Sequence, residues 1–150
     1  MRRSIPLAAA AIPTAMLPTA ATASAATTTL HLVVHPTSVH HADNPPEGDS
    51  ATDITTVIDD LFDASDQKKI GHDELFCVNV SDTDVQCTGT LFLPEGQLTF
   101  TMPYSLETRS GEGAITGGTG AYRTAGGTFR AVTRPGTEPP VSDYTLNITS

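Results

Sequence analysis

Apolar and polar residues alternate over residues 142–149, which is the pattern of a β-strand with one buried face. From Leu75 onward the chain contains further short apolar segments that are divided by Gly-, Pro- and Asp-rich turns. Regular spacing of this kind predicts a β-sandwich or a β-barrel. The strands predicted in this part of the chain are 75–81, 84–93, 97–102, 104–108, 113–116, 127–133 and 142–149.

The first half of the chain is less regular. Residues 26–35 are rich in Thr, Leu and Val and predict a first strand, whereas the Pro-, Gly- and Asp-rich residues 36–53 predict a long loop. The apolar residues of 54–62 recur at i, i+3, i+4, i+7 and i+8, which locally predicts a short amphipathic helix. The pattern as a whole predicts one all-β domain with a single segment of helical periodicity.

The N-terminal segment resembles an export signal. Arg2 and Arg3 precede an apolar, Ala-rich stretch over 5–23, and Ala23-Ser24-Ala25 offers a small-x-small cleavage site. Three prolines interrupt the stretch, which disfavours the alternative of a retained membrane anchor. We therefore expect residues 1–25 to be cleaved after Ala25, leaving residues 26–150 as one secreted domain that does not associate with the membrane.

The chain is acidic, with 8 Lys and Arg against 17 Asp and Glu among its 150 residues. Cleavage after Ala25 removes two arginines and takes the formal net charge from −9 to −11. Such a surface argues against nucleic acid as a partner. Solubility outside the cell is the simplest explanation of the charge, and an interaction protein that binds a basic partner through its acidic surface is the alternative.

The chain has two cysteines, Cys77 and Cys87, which flank the polar turn sequence Ser81-Asp82-Thr83-Asp84. A hairpin centred on Asp82 places the two cysteines opposite each other, at a separation that a disulfide can bridge. An even number of cysteines in an exported chain favours a disulfide, and two free thiols are the alternative.

Residues 115–127 contain five glycines between two strand-like segments. Glycine tolerates positive φ angles and close backbone approach, so this run predicts a tight connection within a β-structure. Neither a following Lys-Ser/Thr pair nor a βαβ context accompanies it, which excludes a phosphate-binding loop. No G-x-S-x-G sequence is present to suggest a serine nucleophile.

The same run resembles the G-G-T-G-x-[YF]-x-x-A-x-G turn of the allene oxide cyclase and dirigent barrel superfamily, with Gly117, Gly118 and Gly120 at its turn glycines. Further segments occur in the order that this superfamily uses, and together they extend over roughly residues 58–131. The chain most resembles the exported bacterial branch. The matching segments are Asp60–Asp63, Lys69–Gly71, Cys77-Val78, Leu91–Leu98 and Ala114–Arg123.

The resemblance implies an eight-stranded antiparallel β-barrel with a largely apolar lumen, and it implies that residues 54–62 form a strand. In such a barrel an apolar small molecule is held in a dry cavity. Members of the superfamily steer the cyclisation of a fatty-acid epoxide or the coupling of phenoxy radicals by confinement, without a cofactor. Oligomers among the plant members imply a homo-oligomer by analogy alone.

The residues that carry the chemistry of the superfamily are only partly matched. The first strand of the plant cyclases carries a carboxylate, and residues 27–41 contain none. An Asn position of those enzymes falls on Asp59, and a cavity cysteine falls on Cys77. The dirigent Ala-Arg-Gly sequence is replaced by Ala-Gly-Gly at 125–127. The resulting candidate catalytic residues are Asp59, as an acid or base in the lumen, with Arg123 and Tyr122 as groups that contact a ligand oxygen.

Other residue clusters predict no further site. His31 and His35 lie about 13 Å apart if they share one strand face, so they cannot bind the same metal ion. His40 and His41 are adjacent and point to opposite faces if the chain is extended. We therefore expect neither a metal nor a cofactor. Two functions remain open: a secreted barrel that binds an apolar small molecule and steers its cyclisation or coupling, or a non-catalytic extracellular module whose lumen is filled by its own side chains.

Overall fold

The computed structural model describes residues 26–149, so the predicted signal segment lies outside the described residues. Eight antiparallel strands close into a barrel in which each strand pairs with its neighbours along the chain and β8 returns to β1. This confirms the predicted eight-stranded barrel. The strands are β1 Thr27–Ala42, β2 Ile54–Phe62, β3 Lys69–Asn79, β4 Asp84–Leu93, β5 Gly96–Ser105, β6 Ser110–Gly118, β7 Gly126–Thr133 and β8 Ser142–Thr149.

Within residues 26–149, helical structure is confined to one 3-10 turn, Gly120–Tyr122, between β6 and β7. No helix in residues 26–149 has the length and apolar character needed to cross a membrane. The segment 54–62 is strand β2, as the family resemblance implied, so the helix predicted from local periodicity is wrong. Its apolar residues lie on both faces of the barrel: Leu61 is fully buried inside, whereas Ile58 is exposed outside.

Strand β1 is longer than the sequence pattern predicts, because residues 36–42 continue the strand instead of forming a loop. Pairing between β1 and β8 ends at Val34, so the rest of β1 pairs with β2 alone. Pro36 lacks a backbone N–H, and it lies at a register shift between Pro36 and Ser38. An unpaired edge and a bulge are the two places in a sheet that accept proline.

Two further predictions from the strand pattern need correction. The segments 97–102 and 104–108 form one strand, β5, which ends at Ser105. Pro103 therefore lies within a strand, where it is aligned with Gln86 of β4. The strand predicted to begin at Leu75 begins instead at Lys69.

The antiparallel order gives the barrel two different ends. Four connections lie at one end, which we call the open end, and three lie at the other, the closed end. The open-end connections are 43–53, 80–83, 106–109 and 134–141. The closed-end connections are 63–68, 94–95 and 119–125.

Side chains fill the lumen toward the closed end. The rings of Phe100 and Phe129 stack at a centroid distance of 3.9 Å, and Tyr144 meets Phe129 edge-on at 4.8 Å. Around them lie fully buried leucines from five strands, which makes this half of the lumen a packed core. These leucines are Leu32, Leu61, Leu91, Leu98 and Leu146.

Candidate functional site

The lumen opens toward the open end into a cavity of about 360 Å³. This volume falls within the usual range for small-molecule sites. Most of the lining is apolar, and it includes both cysteines. The main apolar residues of the wall are Val34, Val57, Leu75, Val85, Met102 and Ala131. A lumen filled entirely by its own side chains is therefore found only toward the closed end.

A small side chain on β7 contributes to this space. Ala131 is buried and lines the cavity, where it contributes only a methyl group. The cavity therefore remains open next to the closely packed phenylalanine stack.

Two aspartates lie side by side in the wall, deep in the barrel. Asp59 of β2 is directly opposite Asp73 of β3 in the antiparallel register. Asp59 lines the cavity and is 5 % exposed, whereas Asp73 does not line the cavity and is 0 % exposed. Asp59 lies four residues along β2 from Thr55, or about 13 Å from the mouth of the cavity. We call these two residues the acid pair.

The acid pair titrates as a unit that retains one proton at neutral pH. Burial, followed by the charge of Asp59, raises the pKa of Asp73 to about 9. Burial also raises the pKa of Asp59, and the neighbouring Asp73 side chain partly offsets this effect. At neutral pH the pair therefore retains the proton of Asp73.

Asp73 has no other strong partner. Within residues 26–149 no N–H or O–H donor reaches either carboxylate oxygen of Asp73 with hydrogen-bond geometry. The Tyr144 hydroxyl lies near enough to lower the pKa of Asp73, and burial next to the acid pair raises the pKa of Tyr144 well above its ordinary value. Because a buried carboxylate without donors is costly, Asp73 is held in its protonated form.

A second polar group lies nearer the mouth. The Tyr104 hydroxyl is 2.7 Å from Thr133 Oγ1, which is 2.9 Å from Ser142 Oγ. All three residues line the cavity, so this hydroxyl chain gives its wall hydrogen-bonding capacity on the side of β5, β7 and β8. Arg109, from the connection between β5 and β6, lines the mouth itself.

The predicted disulfide is present. Cys77 of β3 and Cys87 of β4 are opposed in register, with their Cα atoms 4.1 Å apart. The bond lies in the cavity wall, so the sulfur of Cys77 is not available there as a free thiol.

Removing the disulfide should destabilise the barrel. Changing Cys77→Ala together with Cys87→Ala should lower the free energy of unfolding by about 3 kcal/mol, because the bond closes a short loop of sequence separation 10 in the unfolded chain. Urea unfolding followed by circular dichroism measures this change. Wild type unfolded in the presence of a reductant serves as the matched control and should show the same loss. An unchanged urea midpoint in the double variant would show that the bond contributes nothing.

Of the candidate catalytic residues, the structure places only Asp59 in the cavity. Tyr122 and Arg123 belong to the connection 119–125 at the closed end, with the packed half of the lumen between them and the cavity. The Tyr122 hydroxyl is 3.5 Å from Glu95 Oε2. The geometry therefore does not bring Tyr122 or Arg123 to a ligand that occupies the cavity, and contact of Arg123 with such a ligand is not supported.

The turn glycines lie at the same closed end. Gly117 and Gly118 end β6, and Gly120 begins the 3-10 turn, where a Cβ atom would overlap the backbone oxygen of Glu95. This confirms a tight connection within a β-structure. The glycine motif shapes the closed end and is remote from the cavity.

The sequence analysis missed Asp73 and Arg109. Alternation along β3 offered a signal for Asp73, which shares the face of Leu75 and Cys77. No comparable signal exists for Arg109, because its position in the mouth depends on how the connection 106–109 folds over the barrel.

The histidines lie outside the cavity. His35 pairs with Asp66 at 2.8 Å, and His31 is exposed. Potential ligand atoms of His41, Asp49 and Asp53 lie within 4.8 Å of one another. Asp53, however, accepts backbone N–H bonds from Asn44 and Ser50 at 2.8 and 2.7 Å, and these bonds lower its pKa. This carboxylate therefore organises the connection between β1 and β2.

Comparison of the sequence with protein-family models and with curated proteins gives no match. Solved structures do match. Pyocyanin demethylase superposes with a TM-score of 0.72 at 25 % identity, covering 81 % of this chain and 100 % of its own. The pterocarpan synthase dirigent protein GePTS1 gives a TM-score of 0.70 at 19 % identity, covering 86 % and 87 %.

A third similar structure is AbnU, an exo-specific intermolecular Diels-Alderase, with a TM-score of 0.69 at 14 % identity and coverage of 85 % of this chain and 100 % of its own. These three proteins have different activities, so the likeness supports the architecture and not a particular reaction. The chain has the closed eight-stranded barrel of the allene oxide cyclase and dirigent-like superfamily.

Proposed function

We propose that this protein is an exported barrel that binds an apolar small molecule in its open-end cavity and assists a cyclisation or coupling of that molecule by proton transfer. The observation that carries the proposal is the acid pair in the wall of an otherwise mainly apolar cavity. Export is supported by the N-terminal sequence pattern and by the disulfide, which is typical of oxidising compartments.

The apolar wall supplies the binding energy and the confinement. A ligand that fills the cavity removes apolar surface from water and displaces solvent from the acid pair. Holding the ligand in one conformation favours ring closure or coupling over competing reactions, because the cost in conformational entropy is met on binding.

The acid pair supplies the proton chemistry. The Asp59 carboxylate faces the cavity and accepts a proton from an O–H, N–H or activated C–H group of the ligand. Protonated Asp73 lies directly opposite Asp59 on the neighbouring strand. By passing its proton to Asp59, it lets the pair donate to a ligand oxygen that becomes negative. Proton transfer and confinement change no oxidation state, so a ring closure assisted in this way needs no redox cofactor. The similar structures, which include a Diels-Alderase and a dirigent protein, support chemistry of this kind in this fold.

Blocking the cavity should abolish binding. Ala131→Phe places a ring in the cavity, and 4-phenylphenol serves as the test ligand in isothermal titration calorimetry. Wild type should bind it with a Kd of about 100 μM or tighter, and the variant should bind at least about tenfold more weakly. The expected loss follows from the volume that the ring occupies.

The matched control is Ala121→Phe, the same substitution at an exposed position of the closed end. It should bind like wild type. Because Ala131 is buried, Thr55→Phe at the mouth provides a second blocked variant that perturbs the core less. Absence of binding by wild type, or equal binding by blocked and control variants, would refute a small-molecule site in this cavity.

A further inference from the structure

Among the described residues that line the cavity, Arg109 is the one with a cationic side chain. It ends the connection 106–109 and is exposed at the mouth, opposite in charge to the acid pair deeper in the barrel. In the part of the chain that the structure describes, neither an ion pair nor a side-chain hydrogen bond engages its guanidinium. By contrast, Arg134 is paired with Asp143 at 2.6 Å.

The backbone holds Arg109 in a conformation that arginine adopts at a cost. Its φ angle is 53°, in the left-handed region that is about 1–2 kcal/mol unfavourable for a residue with a Cβ atom. The conformation is retained because the Arg109 carbonyl accepts the backbone N–H of Thr133 at 2.9 Å. Glycine would adopt this backbone conformation without strain. The arginine at position 109 is therefore not explained by the local backbone structure, which favours glycine.

We propose that Arg109 binds a carboxylate at the outer end of the ligand, while the inner end of the ligand donates a hydrogen bond to Asp59. This inference rests on the proposed function and specifies its substrate class: an elongated apolar molecule with a hydroxyl or amine at one end and an anionic group at the other. Planar guanidinium groups bind carboxylates through two parallel hydrogen bonds, which fixes orientation as well as affinity.

Because the whole protein is negatively charged, a preference for an anionic ligand over an uncharged one would be informative. With a formal net charge of −9 for the full chain, or −11 after the expected cleavage, the protein repels anions at long range. A ligand that binds better as an anion than as its uncharged ester must therefore gain from a specific cation near its site.

The test compares three ligands that share one apolar frame. They are 4′-hydroxybiphenyl-4-carboxylic acid, its methyl ester, and the 4′-methoxy acid, which lacks the donor for Asp59. Isothermal titration calorimetry of wild type at about neutral pH should show the hydroxy acid binding about tenfold tighter than either analogue. Arg109→Gln should remove the preference for the acid over the ester and keep the preference for hydroxyl over methoxy.

Arg130→Gln is the matched control, because Arg130 is exposed on β7 and does not line the cavity. It should retain both preferences. Arg109→Gly is a second variant that removes the cation and accommodates the backbone angle, so it should lose the preference for the acid without a lower Tm.

Equal affinity of wild type for acid and ester would overturn the role of Arg109, as would a preference that survives in both Arg109 variants. If wild type binds the uncharged ester and Ala131→Phe abolishes this binding, the cavity remains supported as the ligand site. Only the proposed contact between Arg109 and the carboxylate is then refuted. If none of the three ligands binds wild type, the proposed function and this inference fail together.

Discussion

Replacing Asp73 by asparagine should stabilise the protein at about pH 8 by roughly 2 kcal/mol, although the change removes one member of the buried acid pair. Asp73 is fully buried beside Asp59, and its pKa is raised from 3.8 to about 9. Asparagine has nearly the same shape, carries no proton that must be taken up on folding, and still offers an N–H to Asp59. Urea unfolding followed by circular dichroism at several pH values measures the effect.

The sign follows from the protons bound in each state. Between about pH 4 and about pH 9 the folded protein retains a proton on Asp73 that the unfolded chain releases. The stability contributed by this group is therefore complete below about pH 4 and is lost as the pH rises toward 9, at about 1.4 kcal/mol per pH unit. Asp73→Asn should recover only part of the lost free energy of unfolding, because a buried amide also requires hydrogen-bond partners.

The free energy of unfolding of wild type should thus decrease from about pH 5 to about pH 8. Its dependence on pH should be much weaker in Asp73→Asn. Glu112→Gln, which also removes one carboxyl but at an exposed position on β6, should leave the slope unchanged. Parallel pH profiles for wild type and Asp73→Asn would show that Asp73 does not carry the buried proton.

The strand β2 shows why local periodicity misled the prediction of this element. Its inward face carries Asp59 among apolar residues, and its outward face carries exposed Ile58 and half-buried Phe62, which packs edge-on against His35. With Thr55 also inside and Ile54 also outside, two polar residues on the inward face and three apolar residues on the outward face replace the alternation of a strand by an apparent helical pattern. One of these polar residues, Asp59, lines the candidate site, so the failure of the local rule coincides with the site.

The extension of β1 depended on a different kind of information. Pro36 and the following polar residues are typical of a loop, and nothing local reveals that β2 runs beside them. Pairing supplied by a distant strand overrides this tendency, and the bulge at Pro36 accommodates the missing N–H. The order of motifs, by contrast, was sufficient to predict the closed barrel, since these motifs extend over several strands, roughly residues 58–131.

The site was predictable only where it lies within a strand. The alternation that directs Asp73 inward can be read along β3, and the hairpin between the cysteines follows from its turn sequence. Asp59 was reached through the family resemblance, because β2 lacks a readable alternation. Which end of the barrel is open cannot be deduced in this way. It depends on how tightly aromatic rings fill one half of the lumen and on small residues in the other. Because the local sequence does not show this difference, Tyr122 and Arg123 were predicted to contact a ligand, although the cavity lies at the opposite end.

Replacing Gly127 by alanine should lower the free energy of unfolding by about 3–5 kcal/mol, which is enough to leave much of the protein unfolded during expression. Gly127 has a φ angle of 121°, which lies in a region that residues with side chains rarely adopt. A Cβ atom there would also overlap the backbone oxygen of Asn147 in β8. Because Gly127 pairs with both Ile115 and Ile148, the strain cannot be relieved without separating β7 from its neighbours. The yield of folded protein and the urea midpoint measure the loss.

Its neighbour provides a control within the same glycine run. Gly126 also lies at the start of β7, but a Cβ atom there meets only Thr149 Oγ1 at 3.5 Å, an ordinary contact. Gly126→Ala should therefore change the free energy of unfolding by less than about 1 kcal/mol, and the lower entropy of the unfolded chain offsets part of any cost. Equal loss in the two variants would mean that glycine is required in this run for a reason other than the backbone angle and the close approach of β8 at residue 127. A loss confined to Gly127→Ala would assign the role of this part of the motif to closure of the barrel between β7 and β8, at the end remote from the acid pair.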